Sequence, residues 1–137
     1  MVREVIHDPI LLGGRSEAAT PEDVQIARDL LDTLIANKEA CVGMAANMIG
    51  YRKRIVVFDR EGSYMTMFNP EILKTDGPYD AMESCLSLLG GPRPCKRFHS
   101  VKVRWQNEKF ETRIQTFTGW TAQIIQHEID HCNGVLI

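Results

Sequence analysis

The chain has 137 residues, 44% of them hydrophobic and 25% charged, with a net charge of -2 at pH 7. That apolar content suits one globular domain with a real core and excludes a disordered or fibrous chain. The near-neutral balance gives no basic footprint for nucleic acid or an anionic membrane surface, so neither partner is expected.

The opening stretch, Met1-Val2-Arg3-Glu4-Val5-Ile6-His7-Asp8, places charges where a signal peptide needs an apolar run. No segment approaches the ~18 apolar residues of a membrane span. A cytoplasmic protein with reduced thiols is predicted. Cys41, Cys85, Cys95 and Cys132 lack framework spacing, so each reads as a buried small hydrophobe or a ligand, and no disulfide is expected.

Residues 1–20 read as an extended arm broken by Pro9 and Gly13-Gly14. Thr20-Pro21-Glu22-Asp23 reads as a helix start, with Thr20 as cap, Pro21 at the first position and two acids in the first turn. Val24, Ala27, Leu30, Leu31 and Leu34 then form an apolar stripe running to about Asn37. Residues 41–50 are rich in small side chains, which suit either a close backbone approach or a tightly packed turn. Residues 54–59 and 64–73 read as strands, the second carrying Asn69-Pro70 and therefore an edge or a bulge. Residues 101–105 and 110–117 alternate apolar with polar, predicting an antiparallel hairpin over residues 106–109. Short strands thus lie between an early and a late helix, with no repeat or linker among them. The expected fold is α+β, a single domain over 1–137 in which antiparallel sheets pack around the last helix.

That last helix carries the chemistry. In His127-Glu128-Ile129-Asp130-His131 the two imidazoles are four residues apart, which on a helix stacks them on one face. Both can reach one metal ion, and Glu128 stands beside the first to take a proton from an activated water. Trp120, Ile124, His127 and His131 share one stripe, Thr118 is placed to cap the start and Gly134 to stop the helix. Six residues follow His131, so a third ligand is expected upstream, among Cys41, Cys85, Cys95, His7, His99 and several carboxylates. Cys85 lies between the Gly77-Pro78 and Gly90-Gly91-Pro92 breaks, on a short ordered segment; a thiolate there would give a two-His, one-Cys site, and a buried thiol is the competing reading.

Taken together, Gly43-Met44-Ala45-Ala46 before Ile49-Gly50, Glu83 before Cys85-Leu86-Ser87, and the His127–His131 segment resemble the three signature motifs of peptide deformylases. They stand in the same order, over essentially the whole chain. The resemblance implies an amidohydrolase that removes the formyl group from the N-terminal methionine of new proteins, acting on formyl-methionyl peptides without implied ribosome contact. It implies one divalent ion, commonly Fe(II) in cells and replaceable by Zn, Ni or Co, held by Cys85, His127 and His131. It further implies that Glu128 carries the proton and that the peptide N–H of Leu86 faces the developing oxyanion. Val42, Trp120 and Ile124 would line the methionine pocket, and the Gly43 backbone would pair with the peptide. Pro94-Cys95-Lys96-Arg97 resembles the stretch whose arginine pairs with the motif glutamate, which gives Glu83 and Arg97 as support for the Cys85 loop.

Three positions depart from the family pattern. Where the first motif has a glutamine whose amide holds the formyl oxygen, this chain has Met48; Cys41 and Ser84 stand where glycine is usual. Asn47 is one residue out of register for the missing donor. Losing one such donor costs ~10² to 10³ in turnover. Two readings follow: an active, slower deformylase, or a deformylase-like protein that binds metal and peptide with little or no turnover.

Overall fold

A computed structural model describes residues 1–85 and 87–136. Five strands make one antiparallel sheet in chain order: β1 (Gly43–Ala45), β2 (Ile55–Arg60), β3 (Ser63–Cys85), β4 (Leu88–Gln106) and β5 (Thr112–Thr118). In β2 successive side chains point to opposite faces, yet Ile55, Val56, Val57 and Phe58 are all fully buried because both faces are covered. Ile55 and Val57 join Phe68 and helix α2 (Val24–Ala36), through Leu30 and Leu34, in one core. Val56 and Phe58 join Val101, Val103 and helix α3 (Gly119–Cys132), through Ile125 and Ile129, in the other.

Ahead of α2, Pro21–Asp23 forms a 3-10 turn, and the Thr20 amide donates to the Asp23 carboxylate at 2.8 Å. The N-terminal arm is less uniform than its composition suggests. It contains a one-turn helix α1 (Pro9–Leu12), where the Asp8 carboxylate accepts from the Ile10 amide at 2.9 Å and Leu12 is buried. Four residues are too few to show a helical period.

The largest difference from the sequence reading is the length of β3 and β4. β2 pairs only with residues 63–68 of β3, and β5 only with residues 100–106 of β4. Beyond those stretches β3 and β4 pair with each other as a two-stranded ribbon ending at Cys85 and Leu88. The strand passes Asn69-Pro70 through a register shift between Phe68 and Glu71, with Asn69 in the left-handed region at φ 52°. It passes Gly77-Pro78 because Gly77 takes φ 71° and Pro78, opposite Phe98, lies where the ribbon has open edges that need no further donor. Cys85 is therefore the last residue of a long strand, not part of a short isolated segment.

Candidate active site

α3 runs from Gly119, at φ 62°, to Cys132, and buries the side chains of His127, Glu128 and His131. Thr118 has the extended backbone of a cap residue but makes no side-chain cap bond, so the capping expected of it is absent. At the other end the Gly134 amide donates to the His131 carbonyl at 3.1 Å, and Gly134 sits at φ 78°. A Cβ there would lie 2.5 Å from the Gly13 carbonyl oxygen, which gives this stop a packing reason as well as a conformational one.

Against this helix lies the tip of the ribbon. Asp80, Met82 and Ser84 are exposed, while Tyr79, Glu83 and Cys85 alternate onto the other face. The ligand atoms of Cys85, His127 and His131 all lie within 4.8 Å of one another. The His127 and His131 Nε2 atoms are 3.1 Å apart. Burial alone would lower the pKa of His127, but hydrogen bonds with Cys85 and Glu83 outweigh it and raise it to about 10. Burial, then the charge on His127, push His131 down to about 3. Without a metal the proton therefore sits on His127 and His131 is neutral; a cation between the two facing Nε2 atoms would take the place of that proton.

Glu83 holds the arrangement together. Its Oε1 accepts from His127 Nδ1 at 2.7 Å and from an Arg97 terminal nitrogen at 2.7 Å; its Oε2 accepts from Arg97 Nε at 2.8 Å and Gln123 Nε2 at 2.8 Å. Burial would raise this carboxyl, but the bonds from His127 and Arg97 keep it at about 2. The second terminal nitrogen of Arg97 reaches Asp130 on α3 at 2.7 Å. With Nδ1 of His127 occupied by a carboxylate, its Nε2 is the nitrogen left to ligate.

Glu128 is buried, and its Oε1 has no hydrogen-bond partner among the described residues. Burial first, and then the charges of Glu83 and Asp130, raise its pKa to about 7 against the opposing pull of His127 and Arg97. A Cβ on Gly43 would stand 2.8 Å from Glu128 Oε2 and 3.0 Å from Ile124 Cγ2. That close approach is why β1 carries glycine here.

A cavity of about 490 Å³ opens onto these groups, lined by Val42, Gly43, Trp120, Ile124, Cys85 and Glu128 and also by Cys41 and Gln123. Ile124 is buried, while Trp120 is 62% and Val42 38% exposed, so those two form the rim. Met48 does not line this cavity; it is buried, and its sulfur receives the Ala45 amide at 3.5 Å. Asn47 spends its amide nitrogen on the carbonyls of Leu12, at 3.3 Å, and His131, at 2.9 Å, which ties it behind α3 and not into the cavity. Cys41 donates to the Gly43 carbonyl at 3.3 Å, and burial, reinforced by Glu128, pushes its thiol up to about 12. Leu86 lies outside the described residues.

Sequence reasoning missed Gln123, Tyr79 and Asp130 as parts of this network. Gln123 is one helical turn before His127, and Tyr79 is four residues before Glu83 on the same strand face. The first signal lies on the helix already read from the sequence; the second becomes readable once the strand is continued through Gly77-Pro78.

Residues 5–137 match the family model for polypeptide deformylase. The chain is 48% identical over 137 residues to a peptide deformylase of Clostridium beijerinckii, covering all of both chains. It is 34% identical over 146 residues to one of Dictyoglomus thermophilum, covering all of this chain and 91% of the relative. Among solved structures, the peptide deformylase of Thermotoga maritima superposes with a TM-score of 0.89 at 30% identity, over 99% of this chain and 95% of that one. A Met-Ala-Ser-bound peptide deformylase of Acinetobacter baumannii superposes with the same TM-score at 26% identity, over 99% and 96%. The chain belongs to the polypeptide deformylase family.

Proposed function

We propose that the chain, acting as one unit over residues 1–137, removes the formyl group from N-terminal formyl-methionyl peptides as a metal-dependent amidohydrolase. The observation that carries this reading is the convergence of Cys85, His127 and His131 beside the buried Glu128, at a cavity large enough for a side chain. One sulfur and two imidazole nitrogens suit a borderline divalent ion; Cys85 Sγ and Nε2 of both histidines would hold it. Fe(II) is the proposed ion in the cell, with Zn, Ni or Co able to take its place. When bound, the ion supplies Lewis-acid polarisation at the reacting carbonyl and water.

Glu128 accepts the proton of the attacking water and delivers it to the departing amine. A carboxyl held near neutrality can do both at physiological pH. β1 is an edge strand of the sheet, so an extended peptide can pair with the Gly43 backbone. The methionine side chain then sits among Val42, Trp120 and Ile124. The Leu86 peptide N–H is assigned to the oxyanion. Glu83 and Arg97 hold the ribbon tip that carries Cys85. The peptide bound in the Acinetobacter structure, Met-Ala-Ser, has the sequence of a deformylated product, which supports a methionyl peptide as the ligand.

The full-length likeness to peptide deformylases does not favour the alternative, a binding protein without turnover. No described helix is long and apolar enough to cross a membrane. A cytoplasmic location, with nascent chains as the partner, is part of the proposal. The test is formate release by anaerobically Fe(II)-loaded protein. Formyl-Met-Ala-Ser should be hydrolysed and the reaction stopped by a chelator, while a formyl-Glu peptide should react poorly. Formate release no faster than the metal-free blank would rule out the proposal.

A further inference from the structure

We propose that Gln123 and Tyr79 are positioning residues, fixing the Glu83 carboxylate and, through it, the His127 ring that ligates the metal. The inference rests on the proposed metal site and assigns this chain a support that the motif residues alone do not include.

Arg97 grips both Glu83 oxygens from β4, the strand next to Glu83's own. That pair belongs to the ribbon and reaches α3 only at one remove, through the bond from Arg97 to Asp130. What ties the carboxylate directly to α3 is one bond to each oxygen: His127 Nδ1 to Oε1 and Gln123 Nε2 to Oε2, at 2.7 and 2.8 Å. Gln123 and His127 are four residues apart and therefore on the same face of the helix. Two contacts one helical turn apart define the direction of the carboxylate where a single contact would leave it free to pivot. A carboxylate offers about four lone-pair sites, and here His127, Gln123 and the two Arg97 nitrogens fill them.

A glutamine amide has two ends of nearly the same shape, and only one can donate to a carboxylate. Tyr79 selects it. Its hydroxyl donates to Gln123 Oε1 at 3.0 Å, which leaves Nε2 facing Glu83. The Tyr79 ring is in turn held by stacking on His99, with centroids 4.2 Å apart at 24°, and by its register opposite Arg97. Tyr79 thus donates to Gln123, and Gln123 and His127 both donate to Glu83, so one chain of hydrogen bonds links Tyr79 to the proposed metal-ligating ring.

Gln123 also lines the cavity, whereas Tyr79 does not, so the two substitutions separate positioning from pocket shape. The experiment measures Zn(II) affinity by competition with a chromophoric chelator for wild type, Tyr79→Phe, Gln123→Leu and the double variant. Kinetics on a formyl-Met peptide and thermal unfolding of the metal-free proteins accompany it. Outer partners of ligating histidines are worth about 10- to 100-fold in metal affinity, so Gln123→Leu should lose about tenfold and Tyr79→Phe, one step further out, about threefold. The double variant should match Gln123→Leu alone, because Tyr79 acts only through Gln123. Tyr79→Phe should lower kcat and leave KM unchanged. Gln123→Met, which keeps the side-chain length without the amide, repeats the measurement if the leucine variant does not fold. Wild-type affinity in both single variants, or losses that multiply in the double variant, would overturn the proposal. A wild-type protein that binds no ion at all would instead remove the metal reading on which it rests.

Discussion

Between Ser63 and Phe68, β3 runs beside β2 with Met67 and Phe68 fully buried in two apolar cores. Between Thr75 and Cys85 the same strand has β4 as its one paired neighbour and meets α3 through Tyr79 and Glu83, with Arg97 of β4 beside them. The first stretch is held by burial, which is strong and non-directional. The second is held by charge-assisted hydrogen bonds, which are directional and fix where each group points. A metal ligand at the ribbon tip needs direction more than it needs burial. Changes in the inner half should therefore show as stability, and changes in the outer half as metal binding and turnover.

The largest effect is expected at Glu128, on the helix that the outer half faces. Glu128→Gln keeps the shape of a buried side chain and removes the proton carrier, so kcat should fall by up to ~10⁴. Metal content, measured by elemental analysis, should stay at the wild-type level. A loss of metal in step with activity would make Glu128 a structural residue. In the inner half, Phe68→Ala removes a fully buried ring that packs on Phe110 with centroids 4.8 Å apart. Urea unfolding should show a loss of about 3–5 kcal/mol. Activity per folded molecule should be nearly unchanged, and a matching drop in metal affinity would blur the division between the halves.

How much of this was legible in the sequence follows the same division. Period-2 alternation and the apolar run of β2 identified the sheet, and i, i+4 spacing placed His127 and His131 on one helix face. Those signals are local. The ribbon was read too short because Asn69-Pro70 and Gly77-Pro78 are turn dipeptides on propensity, and a bulge and an open edge absorb them here. The four-donor setting of Glu83 joins residues from β3, β4 and α3, a convergence that spacing along one element does not reveal.

In the outer half, Arg97→Lys keeps the positive charge but loses the fork that grips both Glu83 oxygens. Metal affinity should fall by about tenfold, and the unfolding free energy by about 1–3 kcal/mol, less than Phe68→Ala costs. An unchanged affinity by chelator competition would mean that Glu83 is held well enough from α3. The smallest effect is expected at Met48. A complete oxyanion donor is worth ~10² to 10³ in turnover, but the Met48 side chain is turned to the Ala45 amide and away from the cavity. Met48→Gln should raise kcat by less than ~10-fold, well short of a full donor. A gain of two orders of magnitude would show that the side chain can swing into the site.

In the proposed site the ribbon brings Cys85 to a helical pair of histidines, and absorption spectroscopy of the Co(II)-loaded protein tests that most directly. One Co(II) per chain should bind with a thiolate-to-metal charge-transfer band in the near ultraviolet, and Cys85→Ser should remove the band. Stoichiometric Co(II) binding without that band, or a band that survives Cys85→Ser, would contradict the assignment of Cys85, His127 and His131 as one metal site.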